Sequence, residues 1–94
     1  MLMDRELEDV ERQAIEKIAM DHPDVQGVHD LRTRSSGTRQ FIQLHLEMDG
    51  SITLQEAHII SDAVEAKIME AFPQSEVLIH EDPEGILEER AVFL

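Results

Sequence analysis

The amino-acid sequence predicts an α+β domain of ferredoxin-like layout, in the order α-β-β-α-β, with two helices on one face of a three-stranded sheet. Three observations carry that prediction. Ile42, Leu44, Leu46 and Met48 alternate with Phe41, Gln43, His45 and Glu47, the period of two that a half-buried strand shows. Thr53-Leu54-Gln55-Glu56 is a capping box opening a helix that Pro73 stops. Ser35-Ser36-Gly37-Thr38 is a turn between two strand-like runs.

Taken in order, Glu8 to Met20 is the first helix, with Val10, Ala14, Ile15, Ile18 and Ala19 at helical spacing and acidic residues in the first turn, where the helix dipole favours them. Asp21-His22-Pro23 ends it, because the residue before a proline is pushed out of helical geometry. Val25 to Arg34 is a first strand and Arg39 to Asp49 a second, joined as a β-hairpin through a loop of two to four residues. The second helix runs to about Phe72 and turns Ile60, Ala63, Val64, Ile68 and Ala71 to the core. Glu76 to His80 is a short third strand. The second strand, second helix and third strand form a crossover, expected to be right-handed. Met20, Met48 and Met69 fall at core-compatible positions. By this reading residues 7–85 are one domain, residues 1–6 precede it, and residues 86–94 are a tail ordered only by packing on something else.

Composition narrows the partners. The 94 residues carry 21 acidic and 8 basic side chains, a formal charge of −13. Nucleic acid is therefore not expected as a partner, because no basic surface is present to displace counterions from phosphates. There is no cysteine, so a disulfide framework and a thiolate metal site are both excluded. Any metal must be held by imidazole nitrogen and carboxylate oxygen. No apolar run reaches the roughly 18 residues of a membrane span, and Met1-Leu2-Met3 is too short for a signal peptide, so the chain as given is expected to be soluble.

Five histidines stand at positions 22, 29, 45, 58 and 80. In a hairpin closing around Gly37, His29 and His45 would be cross-strand neighbours on one sheet face. A loop of another length would shift the register by one and part them. His80 and Asp82 are residues i and i+2 at the end of the last strand, so both can point the same way. His58 lies one turn into the second helix, with Asp62 at i+4. Imidazoles with a carboxylate suit Zn²⁺, and Fe²⁺, Co²⁺, Mn²⁺ or Cd²⁺ are further candidates. Against this, a single histidine on a strand is more often a hydrogen-bonded or surface residue than a ligand, and the spacing matches no named zinc motif. His22, beside Pro23 in a loop, is read as such a residue. The sequence holds no nucleophile elbow, phosphate-binding glycine loop or HExxH, and nothing supplies a general base in a cleft, so an enzyme is not expected.

Four segments then carry a resemblance: Gly27-Val28-His29-Asp30-Leu31-Arg32-Thr33-Arg34, Phe41-Ile42-Gln43-Leu44-His45-Leu46-Glu47-Met48, Ala57-His58, and Ile79-His80-Glu81-Asp82-Pro83. Together they closely resemble the C-terminal cytoplasmic domain of cation diffusion facilitator transporters, especially the bacterial ferrous-iron and zinc efflux proteins of that family. The likeness runs from Leu2 to about Pro83, and Leu2-Met3-Asp4-Arg5 looks like the stretch that leaves the last membrane helix. It implies a homodimer of metallochaperone-like fold at the cytoplasmic face of the bacterial inner membrane, attached to a membrane part that carries the transport site. It also implies a binuclear zinc site of His29, His45, His58, His80 and Asp82. In that site Asp82 bridges, His29 and His45 serve one ion, and His58 and His80 serve the other. Relatives can carry Gln where this chain has Glu81, whose backbone carbonyl could still coordinate.

The implied dimer gives the charge a role. Two copies would carry −26, twice the charge of one chain, which opposes close approach. Two divalent ions on each would return +8. The resemblance thus leads to a regulatory domain in which metal tightens the dimer and biases the transporter, as differential affinity for two states requires. The other reading is a purely structural dimerisation module whose metal binding is incidental.

Overall fold

A computed structural model describes residues 5–85. The elements are α1 (Asp9–Met20), β1 (Gly27–Ser36), β2 (Arg39–Met48), α2 (Leu54–Ala71) and β3 (Ser75–Pro83). The predicted α-β-β-α-β order and fold class hold. The sheet order is β1-β2-β3, with β2 central, antiparallel to β1 and parallel to β3. Among the described residues no helix is long and apolar enough to cross a membrane. The readings given to residues 1–4 and to the tail from residue 86 onward lie outside the described residues.

The alternation along β2 decides which face is which. Ile42, Leu44, Leu46 and Met48 are at most 2 % exposed and join Ile15 and Ala19 of α1 and Ala57, Ile60, Val64 and Ile68 of α2 in one apolar core. Both helices therefore cover the same face, and Phe41, Gln43, His45 and Glu47 stand on the other, half-buried. Burial of apolar area of this kind is the main term that holds so small a domain together. Arg12 ties α1 to β1 by donating to the Thr33 hydroxyl at 3.1 Å and to the Leu31 carbonyl at 3.3 Å. α2 begins at the expected capping box: the Glu56 amide donates to the Thr53 hydroxyl at 3.0 Å, and the Thr53 amide to the Glu56 carboxylate at 2.9 Å.

Several expectations need correction. Val10 is 70 % exposed and Ala14 is exposed too. α1 touches the core only through Ile15, Ile18 and Ala19, and Val10 lies about 140° around the helix from Ile15. Ala63 and Ala71 of α2 are exposed, as are Met20 and Met69, whereas Met48 is buried. β1 starts and ends two residues later than expected. The hairpin loop is only Gly37-Thr38, with Gly37 at φ +64°, a conformation glycine takes without a Cβ clash. β3 runs on to Pro83, because its parallel ladder with β2 continues through Glu47 opposite Asp82. Arg5 also pairs with Ser35 at the outer edge of β1, which the sequence pattern does not show.

Candidate metal centre

The open face of the sheet carries a row of three histidines. His29 faces His45 across β1 and β2, and His45 faces His80 across β2 and β3. Their rings stack at centroid separations of 4.9 Å and 4.6 Å, the second pair tilted by only 12°. The next row on the same face is Gly27, Glu47 and Asp82.

Register alone does not produce this row. From Ser36 opposite Arg39 to Arg32 opposite Gln43 the hairpin is regular, and its continuation would set Asp30, not His29, against His45. A β-bulge corrects it: Asp30 and Leu31 together span the place opposite Leu44 alone. Asp30 takes φ +55°, a left-handed conformation that aspartate tolerates better than most residues. Leu31 then keeps its side chain in the core, and His29 is returned to the open face.

Asp82 is where the donors meet. Its Oδ2 lies 2.8 Å from His45 Nδ1 and 3.3 Å from His29 Nε2. One donor atom from each of His29, His45 and Asp82 falls within a span of 4.8 Å. All three side chains are mostly enclosed, at 30 %, 17 % and 20 % exposure, which favours charge interactions over screening. In a tetrahedral zinc site with bonds of about 2.0–2.1 Å, ligand atoms sit about 3.3 Å apart. The observed separations to Asp82 differ from that by half an ångström or less. Two nitrogen donors and one oxygen donor thus fit a divalent ion of the zinc type, with a fourth position left to solvent or another group.

Two further carboxylates stand at the outer nitrogens. Glu47 Oε2 is 3.0 Å from His29 Nδ1, and Asp30 Oδ2 is 3.7 Å from His45 Nε2. Arg32 donates from Nε to Asp30 Oδ1 at 3.2 Å. That hydrogen bond, assisted by the charges of Arg32, His45 and His29 against some desolvation, holds the Asp30 carboxyl below its ordinary value. Asp30 therefore remains anionic beside the ring. Neither carboxylate was among the residues expected at the site. Glu47, two residues beyond His45 on the same strand face, carried a readable signal, whereas the place of Asp30 depends on the hairpin register and the bulge together.

Of the five residues expected at the centre, the structure gathers His29, His45 and Asp82 and sets His80 alongside them, exposed and stacked on His45. His58 is apart. It lies on α2, in the layer on the other face of the sheet, 72 % exposed, with Nε2 3.2 Å from Asp62 Oδ2.

Residues 7–84 match the family described as "Cation efflux protein, cytoplasmic domain". The Cation-efflux pump FieF of Serratia proteamaculans (strain 568) is 50% identical over 88 residues, 94% of this chain and 29% of that protein. The pump of the same name from Cronobacter sakazakii (strain ATCC BAA-894) is 55% identical over 82 residues, 87% of this chain and 27% of that protein. The chain thus spans less than a third of the length of these curated relatives. Among solved structures, the zinc form of CzrB superposes with a TM-score of 0.81 at 34% identity, covering 92% of this chain and 99% of that one. A variant MamM CTD in its zinc form gives a TM-score of 0.76 at 25% identity, covering 83% of this chain and 87% of that one. With the three-stranded sheet, the helix-covered face and nearly the whole described chain accounted for, this protein belongs to the family of cytoplasmic domains of cation efflux proteins.

Proposed function

We propose that this chain is the metal-sensing and homodimerisation domain of a proton-coupled exporter of divalent metal, zinc or iron, and that it binds Zn²⁺ through His29, His45 and Asp82. The observation that carries this reading is the convergence of His45 Nδ1 and His29 Nε2 on a single Asp82 oxygen, at 2.8 and 3.3 Å. The names of the relatives, cation-efflux pumps, and the zinc forms of the similar structures lend it support. Fe²⁺, Cd²⁺, Mn²⁺ and Co²⁺ accept the same donor types. The role is regulatory binding rather than catalysis.

The site is read as binuclear. Asp82 has a second carboxylate oxygen to share, and His80, beside it on β3, offers an imidazole to a second ion. His58 lies across the sheet from the histidine row, so as a ligand to that ion it would come from a second copy of the chain. Such an arrangement links metal to dimerisation, and the neutralised charge of two −13 chains works in the same direction.

Calorimetric titration with Zn²⁺ at neutral pH tests the proposal. Loss of an outer partner of a metal ligand weakens binding by about 10–100-fold, and removal of a ligand should exceed that. Asp82→Ala is therefore expected to weaken Zn²⁺ binding by more than about 100-fold, and a wild-type domain that binds no Zn²⁺ would refute the reading. A second reading also has an observation in its favour. The 2.8 Å contact of Asp82 with His45 is a good hydrogen bond in its own right, so the histidine row could be a structural network of a plain dimerisation module. That reading predicts wild-type dimerisation without any response to metal.

A further inference from the structure

Gly27 and Glu47 face each other across β1 and β2, one row beyond His29 and His45. A Cβ added at Gly27 would lie 3.0 Å from Glu47 Oε1 and 3.3 Å from its Cδ. The Glu47 side chain therefore leans over the neighbouring strand, through space that a Cβ at residue 27 would crowd, pushing the carboxylate aside by a few tenths of an ångström. From there its Oε2 reaches His29 Nδ1 at 3.0 Å. We infer that Glu47 is the positioning residue of the metal centre, holding His29 in the tautomer and ring orientation that aim its Nε2 lone pair at the ion, and that Gly27 is the gap admitting it.

The chemistry follows from the donor inventory. A neutral imidazole has one N–H and one lone pair, and an ionised carboxylate can only accept. Both His29 nitrogens face a carboxylate, Glu47 at 3.0 Å from Nδ1 and Asp82 at 3.3 Å from Nε2, as ion-pair contacts rather than aligned hydrogen bonds. The nearer one favours the proton on Nδ1, and an ion seated against Asp82 would take the Nε2 lone pair. An imidazole that donates its second N–H to a carboxylate is fixed in orientation and made a stronger ligand. Glu47 is also partly enclosed, at 33 % exposure, so its charge is only partly screened. His45 lacks so close a partner at its outer nitrogen, where Asp30 stands 3.7 Å away. Glu47 thus acts on one ligand in particular.

This inference rests on the metal-binding reading, because Nε2 must have an ion to face. The experiment separates the two. Long-range ¹H–¹⁵N spectra of the histidines in the metal-free protein are recorded at about pH 8.5, above the ordinary imidazole range, and Zn²⁺ affinity is measured on the same samples. Wild type is expected to show His29 as the Nδ1–H tautomer. Glu47→Ala is expected to move His29 toward the Nε2–H tautomer and to weaken Zn²⁺ binding by about 10–100-fold. Glu47→Gln keeps an accepting oxygen and is expected to keep the tautomer and lose less than about 10-fold, the rescue a positioning role requires. Gly27→Ala, which crowds the carboxylate without removing it, should show part of the Glu47→Ala change.

Wild type that binds Zn²⁺ while Glu47→Ala changes neither tautomer nor affinity overturns the inference and leaves the metal reading standing. Glu47→Gln as damaging as Glu47→Ala with the tautomer intact would make Glu47 a direct ligand, which also overturns it. Wild type indifferent to Zn²⁺ defeats the metal reading and the role of Glu47 together.

Discussion

His29 stands opposite His45 because one extra residue, Asp30, is inserted into β1 between the turn and the site. The hairpin leaves its two-residue loop in a register that would pair His45 with Asp30 and send the His29 side chain to the helix-covered face. The bulge cancels that offset. It also seats the Asp30 carboxylate 3.7 Å from the outer nitrogen of His45.

Asp30 is therefore expected to be sensitive to backbone preference more than to charge. Asp30→Gly should keep the left-handed conformation and the His29–His45 pairing, whereas Asp30→Val, whose branched side chain disfavours φ +55°, should lower the urea midpoint. Denaturant titration of the two variants checks this, with Zn²⁺ affinity as the second measurement. Equal midpoints would show that the bulge does not depend on residue 30.

The α2 cap is a separable contribution. Thr53→Ala removes the acceptor of the Glu56 amide and should cost about 1 kcal/mol. For a domain of this size that is a fall of about 4–8 °C in Tm. Zn²⁺ affinity measured well below the transition should not change. Calorimetric unfolding and metal titration of the one variant check both halves.

Asp49 should titrate low. Its Oδ1 accepts from the Ser51 amide at 2.9 Å and the Ser51 hydroxyl at 2.8 Å, and these, the amide first, hold the carboxyl below the ordinary 3.8. A carboxyl depressed in the folded state adds stability above its unfolded value and loses it as pH falls through the folded one. The contribution of Asp49 is thus present above about pH 4 and vanishes only in stronger acid. Ser51→Ala should raise the midpoint partway, since the backbone amide remains. Carboxyl ¹³C titration by NMR measures it.

Metal binding should weaken in mild acid. Imidazole ligates only when deprotonated, and its ordinary pKa is about 6.5. Zn²⁺ affinity is expected to be flat above about pH 7.5 and to fall below, approaching about 100-fold per pH unit when two rings must lose protons for one ion. Chelator competition from pH 8 to pH 5 gives the slope. Asp82→Asn should lower the whole curve while keeping its histidine-driven steepness.

Much of this was legible in the sequence, for physical reasons that can be named. The alternation of Ile42, Leu44, Leu46 and Met48 fixes which β2 residues are buried, and so puts His45 on the open face. The i, i+2 spacing of His80 and Asp82 puts both on one face of β3. The Thr53 cap located the start of α2 to the residue. What was not legible depends on tertiary choices. Helical spacing marks Val10 and Ile15 as equally apolar, and only docking decides that α1 presents Ile15. Cross-strand pairing of His29 with His45 was expected from a hairpin centred on Gly37, yet the loop takes a different register and the bulge at Asp30 restores the pair. No local pattern foretells that compensation. The distance of His58 from the row belongs to the same class, since it depends on which face α2 covers.

The parallel pairing of β2 with β3 has a consequence for when the site exists. Asp82 is 37 residues beyond His45 along the chain, and the two meet only after α2 has been laid down and the third strand has zipped alongside the second. An unfolded or half-assembled chain offers scattered imidazoles and no shared oxygen. An ion held here would consequently discriminate the finished sheet from everything before it. At a free concentration 100 times its Kd it would deepen the native well by about 2.7 kcal/mol, so the same contact that reports on metal would also proofread the fold.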